Sequence, residues 1–170
     1  MLERVGDPRL PETGPLRRQI LIYFVTSLGA GSPCAHRLST ILVVDDDESS
    51  RLVLKSVLEP SGHVVIEAAD GQAALDLIRS LITPDIVVTD LSMPILAGEA
   101  LISHLRTEPR TTCIPIVIVS GDIDEGLALR MAGHADAFIS KPIDPAALDT
   151  CINALARHSL MAERAGQGVD

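Results

Sequence analysis

Short apolar runs alternate with longer amphipathic stretches along most of this sequence. The first run, residues 41–44, is continuously apolar, which is typical of a buried strand in a parallel sheet whose two faces are both covered. Stretches with helical periodicity come after the runs. Five such units are present, with strands predicted at residues 41–44, 63–67, 85–89, 114–119 and 136–139, and helices at residues 48–59, 71–82, 99–106, 123–132 and 145–157.

This alternation predicts an α/β fold, a parallel sheet with helices on both faces. In the first helix, we expect Val53, Leu54, Val57 and Leu58 to face the core. Sheets of this kind bind ligands beyond the carboxyl ends of their strands, near the point where the strand order reverses. The residues directly after each apolar run are therefore the candidates for a functional site.

Composition narrows the class of partner. Hydrophobic residues make up 46% of the chain and aromatic residues only 2%, so aliphatic side chains must fill the core. The formal net charge of −9 gives no general attraction to nucleic-acid phosphates, and direct DNA binding is disfavoured. The three cysteines, Cys34, Cys113 and Cys151, lack the short spacing of a zinc or redox motif.

The two ends of the chain differ from its middle. Residues 1–38 are rich in proline and glycine, so we expect a leader with little regular structure. The apolar run at residues 20–25 comes after two arginines and imitates a secretory signal. Residues 39–158 are predicted to form one domain, and residues 159–170 a flexible tail.

Chemically active side chains lie directly after four of the five predicted strands. Because the carboxyl ends of parallel strands meet at one edge of a sheet, we expect these side chains to converge. Crowded carboxylates persist as anions only with a cation among them, and their hard oxygen atoms suit Mg²⁺. A lysine and a hydroxyl group beside them suit a phosphoryl group. The residues concerned are Asp45, Asp46, Asp47, Asp90, Ser120 and Lys141.

Each of these residues also has an ordinary structural interpretation. Asp47 directly precedes the first helix and can cap it. Asp90 can cap a turn, Ser120 can belong to a turn with Gly121, and Lys141 can be a solvated surface lysine. One shared site explains their joint placement better than four unrelated structural roles.

Nucleotide-binding folds are disfavoured by the residues that come after the first strand. A dinucleotide fold requires a Gly-x-Gly-x-x-Gly turn there, so that backbone amides can approach phosphates. Three aspartates occupy this position instead, and they would repel phosphates. The sequence also lacks the glycine-rich phosphate loop that ends in Lys-Ser or Lys-Thr.

From about residue 40 to residue 158, the sequence resembles the receiver domains of response regulators in two-component signalling. The resemblance implies a flavodoxin-like, doubly wound sheet of five parallel strands in the order 2-1-3-4-5. Its motifs occur in order and at the family's separations: residues 41–46 (ILVVDD), residues 84–94 (PDIVVTDLSMP) with Gly98, residues 115–121 (PIVIVSG) and residues 138–142 (FISKP).

The resemblance also implies a role for individual residues. Asp90 matches the aspartate that is phosphorylated, Ser120 the hydroxyl residue that binds the phosphoryl oxygen, and Lys141 the invariant lysine, whose bond to the following proline is expected to be cis. Phe138 matches the aromatic switch residue that moves together with Ser120. The residues that the resemblance implies for the Mg²⁺ site are Asp46, Asp90 and the backbone carbonyl of Ser92 as direct ligands, with Asp45 acting largely through water.

The resemblance implies a receiver. Because only about a dozen residues follow the last predicted helix, too few for an output domain, we expect it to be stand-alone and chemotaxis-regulator-like. It would take a phosphoryl group from a histidine kinase or a histidine phosphotransfer protein, and then bind a downstream protein through a changed surface, with a phosphorylation-dependent dimer as one option. It would catalyse only its own phosphorylation and dephosphorylation. Phosphohistidine donors are cytoplasmic, so we expect a cytoplasmic protein without a working signal peptide.

Two alternatives remain open on the sequence. A pseudo-receiver would use the same fold as a phosphorylation-independent binding module, although the chain retains Asp46, Asp90, Ser120 and Lys141. A phosphohydrolase of the haloacid-dehalogenase type would need an acid/base aspartate two residues after the nucleophile, where this chain has Ser92.

Overall fold

The computed structural model describes residues 38–80 and 82–166, and for residues 158–166 only the backbone. Five strands and five helices alternate within this part of the chain. The strands are β1 (Thr40–Val44), β2 (Val64–Ala68), β3 (Ile86–Thr89), β4 (Ile116–Ser120) and β5 (Ala137–Ser140). The helices are α1 (Glu48–Leu58), α2 (Gly71–Ser80), α3 (Gly98–Thr107), α4 (Glu125–Arg130) and α5 (Pro145–Gly166).

The strands form one parallel sheet in the order β2-β1-β3-β4-β5. This order confirms the fold class and the strand order predicted from the sequence. The direction of winding reverses at β1, so β1 and β3 lie side by side although α1, β2 and α2 separate them in the chain. The carboxyl ends of β1 and β3 therefore form the switch point at which such sheets bind ligands.

Successive residues of the strands enter two apolar clusters, one on each face of the sheet. On β1, Leu42 and Val44 belong to one cluster, and Ile41 and Val43 belong to the other. Side chains of α2, α3 and α4 complete the first cluster, and those of α1 and α5 complete the second. Both faces of the sheet are thus covered at its centre, which explains why β1, β3 and β4 are almost continuous apolar runs, whereas the edge strand β2 leaves Val64 exposed.

Several element boundaries differ from the prediction for physical reasons. β4 begins at Ile116 instead of residue 114, since Pro115 has no N–H group to donate to a neighbouring strand. α4 begins only at Glu125, because the side chain of Asp124 accepts a hydrogen bond from the backbone N–H of Leu127 at 2.6 Å and caps the helix there.

Two predictions about helices need correction. Val53 does not face the core, because 43% of it is exposed, whereas Leu54 and Leu58 of the same helix are buried. The last helix continues past residue 157 to Gly166. Within the residues that the structure describes, no helix combines the length and the apolar character needed to cross a membrane.

The predicted leader, apart from Leu38, lies outside the described residues, as do Leu81 and residues 167–170. The domain limits at residues 39 and 158 remain predictions.

Candidate functional site

The turn after β1 carries three consecutive aspartates with three different environments. Asp45 is fully buried, and its Oδ1 accepts a hydrogen bond from the backbone N–H of Asp47 at 2.9 Å. Asp46 is exposed. Asp47 is the N-cap of α1 and accepts from the backbone N–H of Ser50 at 3.0 Å, which confirms its capping role. Hydrogen bonds from Ser50 hold the pKa of Asp47 below its usual value.

Asp90 directly follows β3 and is 8% exposed. Its backbone N–H donates to the carbonyl oxygen of Val44 at 2.8 Å, which continues the pairing of β1 with β3. Its Oδ1 accepts hydrogen bonds from the backbone N–H groups of Leu91 at 2.6 Å and Ser92 at 3.3 Å. The carboxylate is therefore fixed at the edge of the sheet by the start of its own loop.

Gly98 begins α3 and packs directly against the backbone of Asp90. Its N–H donates to the carbonyl oxygen of Leu91 at 3.1 Å. A Cβ at this position would lie 2.0 Å from the carbonyl oxygen of Asp90, a separation that no side chain permits. Glycine is required here by close approach, and α3 thereby braces the loop after β3.

Lys141 directly follows β5 and joins two of these aspartates. Its backbone N–H donates to the carbonyl oxygen of Ser120 at 2.9 Å, and its bond to Pro142 is cis. Its Nζ donates to Oδ2 of Asp45 at 2.8 Å and to Oδ2 of Asp90 at 2.6 Å. Burial lowers the pKa of Lys141, but the hydrogen bonds and charges of the two carboxylates outweigh burial and leave the pKa raised.

The predicted metal ligands are brought together in part. One carboxylate oxygen from each of Asp45, Asp46 and Asp90 lies within 4.8 Å of the others. Three such hard, anionic oxygen atoms fit Mg²⁺, which takes oxygen ligands and keeps several waters. The contact that the structure shows for the backbone of Ser92 is made by its N–H group, which lies 3.3 Å from Oδ1 of Asp90. The backbone carbonyl of Ser92 therefore remains a predicted ligand.

The two predicted switch residues lie on the neighbouring strands. Ser120 ends β4, is 5% exposed, and its Oγ accepts from the backbone N–H of Asp122 at 3.4 Å. Phe138 pairs with Ile118 across β4 and β5, and its half-buried ring packs against the apolar cluster that α2, α3 and α4 complete. Their part in switching remains a prediction.

An open pocket of about 380 Å³ adjoins the site. Leu91 and Ser92, from the loop after Asp90, form part of its wall, together with Ser120. An exposed ion pair at 3.5 Å between Glu99 and Arg130 contributes both of its residues to the lining. The pocket thus opens beside Ser120 and the two residues that follow Asp90, while Asp90 itself is not part of its lining.

Two contributing residues were missed by sequence reasoning. Thr89 is fully buried, and its Oγ1 donates to the carbonyl oxygen of Asp90 at 2.8 Å. Arg51 donates from Nη1 to the carbonyl oxygen of Asp45 at 2.8 Å. The position of Arg51 in the sequence could have indicated this contact. It lies one helical turn after the capping Asp47, and so on the side of the helix that faces the end of β1.

The sheet, together with the cluster of carboxylates and lysine at its switch point, is the architecture of a receiver domain. The chain belongs to the response regulator receiver domain family, whose profile matches residues 41–153. A crystal structure of a putative response regulator from Chloroflexus aurantiacus has a TM-score of 0.67 and 28% sequence identity, and the match covers 71% of this chain and 99% of that one.

Two relatives are named as regulators of transcription. The chain is 37% identical over 121 residues to the probable transcriptional regulator ycf27 of Cyanophora paradoxa, a match that covers 70% of this chain and 48% of that protein. It is 34% identical over 127 residues to the transcriptional regulatory protein CpxR of Escherichia coli K12, covering 75% and 53%. The chain spans about half the length of these curated relatives.

Proposed function

We propose that this receiver domain accepts a phosphoryl group on Asp90 from a phosphohistidine of a histidine kinase or a histidine phosphotransfer protein. The observation that carries the proposal is the contact of Lys141 Nζ with both Asp45 and Asp90, at 2.8 and 2.6 Å. Carboxylates and a lysine from three strand ends thus meet at one point beside an open pocket. A capping role for Asp90 does not account for this convergence.

The transfer exchanges one bond to phosphorus for another. A carboxylate oxygen of Asp90 attacks phosphorus, and the bond between phosphorus and the donor's imidazole nitrogen breaks. The electron pair of that bond returns to the imidazole, which takes up a proton from solvent. Asp90 then carries an acyl phosphate, and water can later hydrolyse it to restore the carboxylate.

The chain's own groups stabilise the charge that this reaction moves. The Lys141 ammonium lies 2.6 Å from Asp90 Oδ2, so it can also bind an oxygen of a phosphoryl group attached there. Ser120 offers a hydroxyl donor from the adjacent strand end. When bound by Asp45, Asp46, Asp90 and the carbonyl of Ser92, Mg²⁺ supplies positive charge that neutralises phosphoryl oxygens.

The output is a changed binding surface. We propose that Ser120 and Phe138 respond to the acyl phosphate together, so that the surface formed by α4 and β5 favours a downstream protein partner. In this proposal the receiver works as a single-domain response regulator in the cytoplasm, acts only on its own phosphoryl group, and does not bind nucleic acid directly. The charge of −9 supports the last point.

The direct test is incubation of the purified protein with acetyl phosphate and Mg²⁺, followed by intact mass spectrometry. We expect the addition of one phosphoryl group in the wild type and none in the Asp90→Asn variant, which keeps the shape of the side chain but lacks its anion. A wild-type protein that is folded and binds Mg²⁺, yet gains no phosphoryl group, would favour the pseudo-receiver.

A further inference from the structure

The turn between β1 and α1 presents two carboxylates of the metal cluster, and they are held very differently. The side chain of Asp45 is bonded to the N–H of Asp47 at 2.9 Å and to Lys141 at 2.8 Å. Asp46, by contrast, is exposed, and within the described residues its carboxylate has no hydrogen bond or ion pair. The position of the Asp46 carboxylate therefore depends on the backbone of the turn.

Arg51 anchors that backbone from α1. Its Nη1 donates to the carbonyl oxygen of Asp45 at 2.8 Å. This oxygen belongs to the peptide group that joins Asp45 to Asp46. If the carbonyl group of Asp45 pointed in another direction, this peptide group would rotate and the side chain of Asp46 would move relative to those of Asp45 and Asp90.

The guanidinium of Arg51 is itself held in place. Its side chain is only 16% exposed, and its Nε lies 3.6 Å from Oε1 of Glu67 on β2. Arg51 is thereby fixed between the neighbouring strand and the turn. The planar guanidinium of arginine has N–H donors that point in several directions. One arginine can therefore contact Glu67 and the carbonyl oxygen of Asp45 together, which the single ammonium group of lysine does less well.

The charge of Arg51 acts on the cluster when no cation is bound there. Three carboxylates within 4.8 Å of one another repel each other. From α1, the guanidinium of Arg51 offsets part of this repulsion, and within the described residues it does not contact a carboxylate of the cluster. Arg51 thus leaves the metal-facing oxygen atoms available.

We propose that Arg51 is a positioning residue for the metal cluster: it fixes the Asp45 carbonyl, and with it the turn that presents Asp46. This inference rests on the proposed function, since it requires that the cluster bind Mg²⁺. Groups that orient metal ligands from outside the coordination sphere typically change metal affinity by about 10–100-fold when removed.

The test is isothermal titration calorimetry of the full chain with Mg²⁺ alone, with Arg51→Met as the variant. We expect Mg²⁺ affinity to fall about tenfold, while the extent of phosphorylation by acetyl phosphate returns to the wild-type value at saturating Mg²⁺. Arg51→Lys keeps one donor and should show an intermediate affinity, and it serves as the second variant if Arg51→Met folds poorly.

Lys55→Met is the matched control. Lys55 lies on the same helix and binds the same Glu67, at 2.9 Å, but it does not contact the turn. Its variant should retain wild-type Mg²⁺ affinity. The inference is overturned if Arg51→Met binds Mg²⁺ as tightly as the wild type, or if both variants weaken binding equally. Calorimetry decides this point even if Asp90 is never phosphorylated, a result that would count against the proposed function alone.

Discussion

Replacing Gly98 with alanine tests the packing that braces the acceptor loop. The new methyl group would lie 2.0 Å from the carbonyl oxygen of Asp90 and 2.8 Å from Cα of Leu91. Non-bonded carbon atoms lie best at about 3.5–4.0 Å, so the start of α3 and the acceptor loop must separate. Both contacts are with backbone atoms, and neither can be relieved by rotating a side chain.

The size of the effect follows from two opposing contributions. Overpacking of this kind costs about 3 kcal/mol when backbone must move. Alanine regains about 0.5–1 kcal/mol because it loses less conformational freedom than glycine on folding. We therefore expect Gly98→Ala to lower the free energy of unfolding by about 2 kcal/mol.

Gly126→Ala in α4 is the matched control for this change. The nearest atom to its added Cβ is Oδ1 of Asp124, at 3.4 Å, an ordinary contact. Alanine at this helical position should raise the free energy of unfolding by about 0.5–1 kcal/mol. The two variants are thus expected to change stability in opposite directions.

Urea denaturation followed by circular dichroism measures both variants. For a slope of about 2 kcal/mol per molar urea, the midpoint of Gly98→Ala should fall by about 1 M. The phosphorylation rate should fall as well, because the Asp90 carbonyl is displaced. If Gly98→Ala instead unfolds at the wild-type midpoint or above it, the tight approach of α3 to Asp90 is wrong.

Three further predictions concern single side chains. Ile95 is 82% exposed and has a φ of 66°, a left-handed conformation that is unfavourable for a β-branched residue. Ile95→Asn should therefore stabilise the protein by up to about 1 kcal/mol in the same urea assay. Iodoacetamide at pH 8 should modify the exposed Cys113 and spare Cys151, whose pKa burial raises to about 12, as peptide mass spectrometry can show; equal labelling would contradict this burial. Lys141→Ala should retain Mg²⁺ binding by calorimetry but slow phosphorylation about a hundredfold; an unchanged rate would refute the role of its ammonium.

The closeness of the site residues could be predicted from the sequence, because it follows from the topology of the sheet. Parallel strands place their carboxyl ends at one edge, so Asp45, Asp90 and Lys141 had to lie near each other once the alternation was recognised. The topology does not specify, however, in which direction each of these side chains points. Asp45 is fully buried and Asp46 exposed, and their difference depends on how the turn leaves the sheet.

Contacts made by single atoms could not be predicted. Helical periodicity placed Val53 beside Leu54 on the inner face, but only the tilt of α1 against the sheet determines that Val53 is 43% exposed. The close approach of Gly98 to Asp90 likewise depends on the packing of α3. Such details are set by tertiary packing, to which local sequence patterns are insensitive.

The central claim, that Asp90 is the phosphoacceptor, can be tested residue by residue. After phosphorylation with acetyl phosphate and Mg²⁺, borohydride reduces an acyl phosphate of aspartate to homoserine, and peptide mass spectrometry locates the converted residue. We predict conversion at position 90 and none at Asp45 or Asp46. Conversion at either of those residues, or at no residue of a folded protein, would contradict the assignment of Asp90.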